Sequence, residues 1–408
     1  MLLTGVSLAM NPRVLKEASA LASAGYRIQV LGADFSKKQL SVDQELSDRR
    51  GFEFVSVVSV GEENLKRRLQ WFFYRTRRKF GSELQKRLHR DCLYSLGYCI
   101  PELLSSARAA KADFYVVHLE QAMFVGASLL NSGFRVGMDM EDWFSEDLPP
   151  EARKQRPVKL LRSLEQKLLR ECTHATCTSR AMSRALAAEY GCRPPAVIYN
   201  AFPWEDRLSL DGKTKDRRDL NLPSLHWYSQ TLGTDRGLGD LFAALPLMKK
   251  EFEIHLRGNT TAGFEHWLTA NVPEPWRKRV FLHPLVSNDE LLSRIAEHDI
   301  GFAGELRYCK NKEFTVSNKI LHYLLGGLAV LASDTAGQTE IAAKANGAVQ
   351  LYRSGDSASL ANELKALLSS PESLGTSKAA ALAASANVFC WERQVPCLLE
   401  GVKYALAN

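Results

Sequence analysis

Nowhere does this chain hold the roughly 18 to 20 consecutive uncharged apolar residues that a bilayer-spanning helix needs, which excludes an integral membrane protein. Cysteine is sparse: eight residues, at 92, 99, 172, 177, 192, 309, 390 and 397, are scattered over 408 positions without a C-x-x-C pair or a His/Cys cluster at zinc spacing. That excludes a secreted disulfide scaffold and leaves free thiols in a reducing cytoplasm. The opening MLLTGVSLAMNPR lacks the basic stretch of a signal peptide and reads as a first strand. Low-complexity tracts and repeats at solenoid periods are missing as well. Nor is the charge one-sided, with 53 Lys and Arg against 46 acidic residues. The excess sits in one place: positions 65–90 hold ten basic residues and a single acid, Glu83, and the rest of the chain is near neutral. A globally basic nucleic-acid binder is therefore excluded.

What the chain does hold is a repeated alternation of short apolar runs with amphipathic helical stretches. In the first half, strands are expected at 26–31, 53–60, 113–117, 135–138, 175–178 and 196–199. Helices are expected between them at 14–24, 92–110, 122–130, 159–171 and 180–190. Such alternation predicts a parallel sheet with helices on both faces. A polar stretch, 201–222, reads as a linker. The pattern then restarts, with strands at 224–228, 253–256, 280–282, 300–303, 329–332 and 348–351, and helices at 238–250, 288–297, 318–325, 338–344 and 357–368. The expected fold class is α/β, with two doubly wound parallel-sheet domains at 1–200 and 223–386 and a final helical stretch, 387–408, crossing back to the first. Ligands of such sheets bind beyond the carboxyl ends of the strands, so the cleft between the domains is the expected site.

The most informative segment is TVSNKILHYLLGGLAVLASDTAGQ, residues 315–338. Ser317 has the chemistry of an N-cap, and Asn318 begins a helix whose free N–H groups and dipole favour an anion. Lys319 adds a point charge in the first turn, and His322 lies three residues on, on the same face. An ordinary capped helix with a solvated lysine is the alternative.

This segment resembles the donor-site region of GT-B-fold glycosyltransferases related to family 4, which commonly reads NK-x-x-E-Y-x-x-x-G-x-P-V-x-x-S. The stretches NPRVLKEASALASAGYRIQVLG, CTSRAMSRALAAEYG with VIYNAF, WYSQTLGTDRGLGDL and LRGN are similar to other parts of the same superfamily, in the same order, from about residue 11 to 340. The resemblance implies transfer of a sugar from a nucleotide-sugar donor to a glycan or lipid-linked glycan, with retention, without a metal or other cofactor. The polysaccharide-biosynthesis type of acceptor is part of that implication.

Carried over by position, Arg236 falls at the basic residue that binds the donor diphosphate, with Lys319 as its partner; a surface arginine is the alternative. Two such cations stabilise the negative charge that grows on the leaving group. Gly5 lets backbone approach the diphosphate. The family's pair of glutamates eight residues apart is missing: His322 stands at the second position, eight after Phe314, and a neutral imidazole there can still bond a ribose hydroxyl. Glu305, ending the strand IGFA, is the substitute contact for the donor sugar, unless it pairs with Arg307 or Lys310. In the first half, His118 ends the strand FYVVH where relatives carry a histidine facing donor or acceptor, or else is a satisfied strand-end histidine. Asp139 and Glu141, in a turn of four carboxylates, are expected to bind or deprotonate an acceptor hydroxyl, or else to form a solvated loop.

The basic segment LKRRLQWFFYRTRRKFGSELQKRLHR interleaves Lys66, Arg67, Arg68, Arg77, Arg78 and Lys79 with Trp71, Phe72 and Phe73. Cations with aromatics suit an anionic membrane surface, where a lipid-linked acceptor would be presented. A core-packed helix and single-stranded nucleic acid are the alternatives. The expected place of action is the cytoplasm, peripherally at the inner face of the membrane.

Overall fold

The computed structural model describes residues 1–34, 36–59, 65–88, 90–234 and 237–408, the side chains at 59 and 65–67 excepted. The chain divides into two compact units. The first comprises Met1–Ile198, Cys309–Asn311 and Val395–Asn408; the second comprises Tyr199–Tyr308 and Lys312–Gln394.

In the first unit, seven strands are found among the described residues: β1 (Leu2–Leu3), β2 (Gln29–Asp34), β3 (Glu53–Ser59), β4 (Tyr115–His118), β5 (Val136–Met140), β6 (His174–Cys177) and β7 (Ala196–Val197). They pair in parallel in the order β3-β2-β1-β4-β5-β6-β7. The reversal of order on either side of β1 marks a doubly wound sheet. Buried aliphatics such as Leu2, Leu3, Val30, Val117 and Met138 form its core. Helix α1 (Pro12–Ser23) begins where Asn11 accepts a hydrogen bond from the Val14 amide and Pro12 pre-sets the first turn; it ends before Gly25, which takes φ +89°. Two further helices, α2 (Lys37–Arg49) and α3 (Leu65–Leu88), flank β3.

The second unit repeats the plan with β8 (Ser224–Leu232), β9 (Glu253–Thr260), β10 (Val280–His283), β11 (Ile300–Ala303), β12 (Ala329–Ser333) and β13 (Val349–Tyr352), all parallel, in the order β10-β9-β8-β11-β12-β13. One face packs a core around Trp227, Phe242, Phe252, Leu256 and Phe302.

The stretch read as a linker is not a free tether. Asp216 is buried in an ion pair with Arg257, Asp211 pairs with Arg294 at 2.5 Å, and Arg217 pairs with Asp299 at 3.2 Å. Its charged residues looked like solvent-exposed linker because their partners lie 41 to 83 positions away in sequence. Helix α2 and the helix Pro371–Ala384 have no counterpart in the sequence reading. The last helix, Val395–Ala407, belongs to the first unit.

Candidate functional site

In the first unit, strand register collects a polar cluster at the carboxyl end of the sheet. His118 on β4 stands opposite Asp139 on β5, which stands opposite Thr176 on β6. His118 is fully buried, with Nδ1 3.3 Å from Asp139 Oδ2 and from Glu141 Oε1, and Nε2 3.3 Å from Glu17 Oε2. Burial opposes an imidazolium, but Glu17 and the hydrogen bonds to Asp139, Glu141 and Glu17 outweigh it and raise the His118 pKa well above the ordinary value. Leu119, the next residue, takes φ +64°, a left-handed conformation that costs a side-chain-bearing residue about 1–2 kcal/mol.

Arg13, two residues inside α1, donates Nε to Asp139 Oδ2 at 2.6 Å, Nη2 to Oδ1 at 2.7 Å and Nη1 to the Ile198 carbonyl at 2.9 Å. Burial alone would raise the Asp139 pKa; Arg13 and His118 reverse that and hold the carboxyl well below the usual range. Both Asp139 oxygens accept hydrogen bonds, from Arg13 and Thr176, and the side chain has no solvent access. Glu141, which also accepts from Asn11 Nδ2 at 3.1 Å, keeps a 15%-exposed side chain. Glu17, His118 and Asp139 bring their ligand atoms within 4.8 Å, a grouping a metal ion could use. The guanidinium of Arg13, 3.3 Å from Glu17 and bidentate on Asp139, is already the cation there. Over Gly5 lies the Gln121 side chain: a Cβ on Gly5 would stand 2.3 Å from the Gln121 Cβ, so the close approach this glycine permits is to Gln121.

In the second unit, Glu305 follows β11 and is buried. It accepts from Ser317 Oγ at 3.1 Å and lies 3.4 Å from Lys319 Nζ and 3.6 Å from Lys312 Nζ. Burial would raise its pKa; Lys319, then Lys312 and the two hydrogen bonds, bring it down to about 2. The pairing with Arg307 or Lys310 considered from sequence is not found: Arg307 bridges Glu313 and Asp334, and Lys310 pairs with Glu189. Ser317 occupies the N-cap position of the helix Asn318–Gly326, yet its hydroxyl serves Glu305 and makes no cap bond. Lys319 Nζ also lies 5.5 Å over the Trp227 ring. Asn318 is exposed and accepts from Asn200 at 3.1 Å. His322 is buried, stacks on Phe202 (centroids 4.1 Å, 16°) and shares a 3.0 Å hydrogen bond between Nδ1 and Tyr228 Oη. Arg236 lies outside the described residues.

The sequence reading singled out Lys319 and Glu305 separately, without pairing them, and missed Arg13, Glu17, Tyr228 and Phe202. Only Arg13 and Glu17 carried a local signal, an i,i+4 charged pair just after Pro12. It also missed four buried histidines. His226 and His255 face each other in register on β8 and β9; His298 stacks on His226 (4.8 Å) and His283 on His255 (5.2 Å). Asp216 lies 3.3 Å from His283 Nδ1. Burial, with the neighbouring imidazoles and nearby arginines, pushes His226 well below the usual pKa, His255 down to about 2 and His283 to about 4.

On helix α3, Trp71, Arg77 and Arg78 depart from the expected lipid-facing set. Trp71 packs on Tyr98 at 5.3 Å, Arg78 lies over Tyr98, and Arg77 is bidentate on Glu102 and stacks on Tyr94. Arg68, Phe72, Phe73 and Lys79 are exposed, and the Lys66 and Arg67 side chains lie outside the described residues. No helix among the described residues is long and apolar enough to cross a membrane.

No protein-family model matches the sequence, and comparison with curated proteins gives no match. Solved structures do match over nearly the whole chain. Anabaena HepE in complex with UDP-glucose is 15% identical, with 98% of each chain covered and a TM-score of 0.67. Sucrose-phosphate synthase from Thermosynechococcus elongatus is 13% identical, covering 100% of this chain and 98% of its own, at a TM-score of 0.70. A UDP-N-acetylglucosamine 2-epimerase described as a candidate, from Listeria monocytogenes, is 12% identical over 99% and 95%, at 0.54. Two parallel-sheet α/β units matching such neighbours give this chain the GT-B fold.

Proposed function

We propose that this protein is a glycosyltransferase related to family 4 that moves a sugar from a nucleoside-diphosphate donor to a hydroxyl of a glycan or lipid-linked glycan, as in cell-surface polysaccharide synthesis. The observation that carries this reading is the group at the start of the helix Asn318–Gly326, where Lys319 and Lys312 bring their ammonium groups together at Glu305. Two lysine ammoniums gathered beside a helix N-terminus suit a diphosphate. As the glycosidic bond breaks, charge grows on the leaving diphosphate, and cations already in place stabilise it. Arg236 is the second such cation by resemblance. Glu305 is assigned to the donor sugar. Glu141 contacts the acceptor hydroxyl, with Asp139, Arg13 and His118 positioning it. The reaction retains configuration, the acceptor proton passes to the leaving diphosphate, and the cations replace a metal. The basic helix α3 places the protein peripherally at the inner face of the membrane.

The Anabaena relative bound to UDP-glucose supports a nucleotide-sugar donor. An epimerase or hydrolase on the same fold would consume the donor without an acceptor. A non-catalytic role is favoured by one feature, the His322 imidazole packed between Phe202 and Tyr228 where the family has a carboxylate. The test is incubation with a panel of nucleotide sugars, with and without lipid-linked glycan. Acceptor-dependent release of free diphosphate supports transfer, release without acceptor supports a hydrolase, and conversion to a different nucleotide sugar without net release supports an epimerase. Binding without release or conversion supports the non-catalytic reading.

A further inference from the structure

Helix α3 has two apolar faces and uses one. Tyr74, Gly81 and Gln85 turn inward: Gly81 packs on the Tyr94–Ser95 backbone, and Gln85 donates to the Arg156 carbonyl at 3.1 Å. At 100° per residue, Leu69, Phe72, Phe73 and Phe80 fall within one 100° arc roughly opposite that face. They are 62%, 69%, 58% and 62% exposed. Beside this stripe runs a second row, Arg68, Arg75, Lys79 and Lys86, all exposed, at positions i, i+7, i+11 and i+18. Arg68, Lys79 and Lys86 have no carboxylate partner among the described residues.

We infer that this face of α3 is a docking surface for an anionic phospholipid bilayer, with the helix lying in the interface plane, Phe72, Phe73 and Phe80 entering the acyl boundary and the cation row resting on lipid phosphates. An aromatic stripe beside a row of cations is the pattern such a helix needs, and the one acid on this helix, Glu83, is paired with Arg87 at 2.9 Å. A second copy of the chain is the wrong occupant, because two copies paired through this stripe would bring two cation rows together. Single-stranded nucleic acid wants a basic groove that tracks the backbone, whereas these aromatics form a convex ridge. The inference takes the peripheral placement proposed above to a defined surface. Its failure would leave the transfer reaction standing, because the assay reads partition and not turnover.

The test is sedimentation of the full chain with vesicles of phosphatidylcholine alone or with about one third phosphatidylglycerol. The wild type is expected to partition onto the anionic vesicles and not the neutral ones. Each cation removed should lower the partition coefficient about five-fold, so Arg75→Gln/Lys79→Gln/Lys86→Gln should lose about a hundredfold. Phe72→Ser/Phe73→Ser/Phe80→Ser should lose binding too. All six side chains are exposed, so unchanged near-ultraviolet dichroism is expected in both variants. Equal binding to neutral and anionic vesicles, or variants that bind like the wild type, would overturn the inference. So would a lipid-free dimer that the phenylalanine variant dissolves, or oligonucleotide binding in place of vesicle binding.

Discussion

Arg13 and Asp139, 126 positions apart in sequence, form a two-bond ion pair at 2.6 and 2.7 Å with almost no solvent access, and the same carboxylate stands 3.3 Å from the His118 ring. A buried pair of this kind is costly to break from one side, since the survivor is left as an uncompensated charge. Arg13→Leu should destabilise the protein by about 3–5 kcal/mol, read as a lowered urea midpoint. Arg13→Lys should recover part of that. An Arg13→Leu protein with an unchanged midpoint would mean that the pair does not organise the site.

His226, His255 and His283 make an acid-labile second unit. Their folded pKa values lie below the unfolded value of about 6.5, so the unfolded chain takes up protons that the folded unit refuses. Stability is full above about pH 6.5 and falls as pH drops below it, by up to about 1.4 kcal/mol per pH unit for each histidine that stays neutral in the fold. Neither ring nitrogen of His226 has a hydrogen-bond partner among the described residues. His226→Phe should therefore match or exceed the wild type in urea at pH 7, and its advantage should widen at pH 5. A narrowing gap would contradict the assignment.

Glu305 runs the opposite way. Its folded pKa is depressed, so its contribution is present above about pH 4.5 and lost as pH falls towards 2. Glu305→Gln removes the carboxylate that Lys319 and Lys312 share. Affinity for free nucleoside diphosphate should hold or rise, while transfer from the intact donor falls by at least tenfold, measured by calorimetry and by turnover. Parallel loss of both would make Glu305 a purely structural prop for the lysines.

Much of this fold was legible in the sequence because its elements carry clear periodicity. The helix Arg180–Tyr190 and the strand Ile300–Ala303 stand where the pattern placed them. The helix Pro371–Ala384 did not show, because its run of alanines has no apolar stripe. Lys319 and Glu305 could be proposed from a motif and a strand end. The Arg13–Asp139 pair could not be, since strand register and the first turn of α1 set it across more than a hundred residues. The histidine cluster was hidden likewise: His226, His255 and His283 each sit on a separate strand, and only the pairing of β8 with β9 and β9 with β10 brings them together.

The most direct measurement is the melting temperature of the wild type and of Lys319→Ala against a panel of nucleoside diphosphates and their sugars. A ligand present at about a hundred times its Kd stabilises the folded state by about 2.7 kcal/mol. The account predicts that one diphosphate and its sugar raise the melting temperature of the wild type, and that the same concentrations shift Lys319→Ala far less. A panel in which no nucleotide moves the wild type, or in which Lys319→Ala responds as fully, would contradict a donor site at this helix.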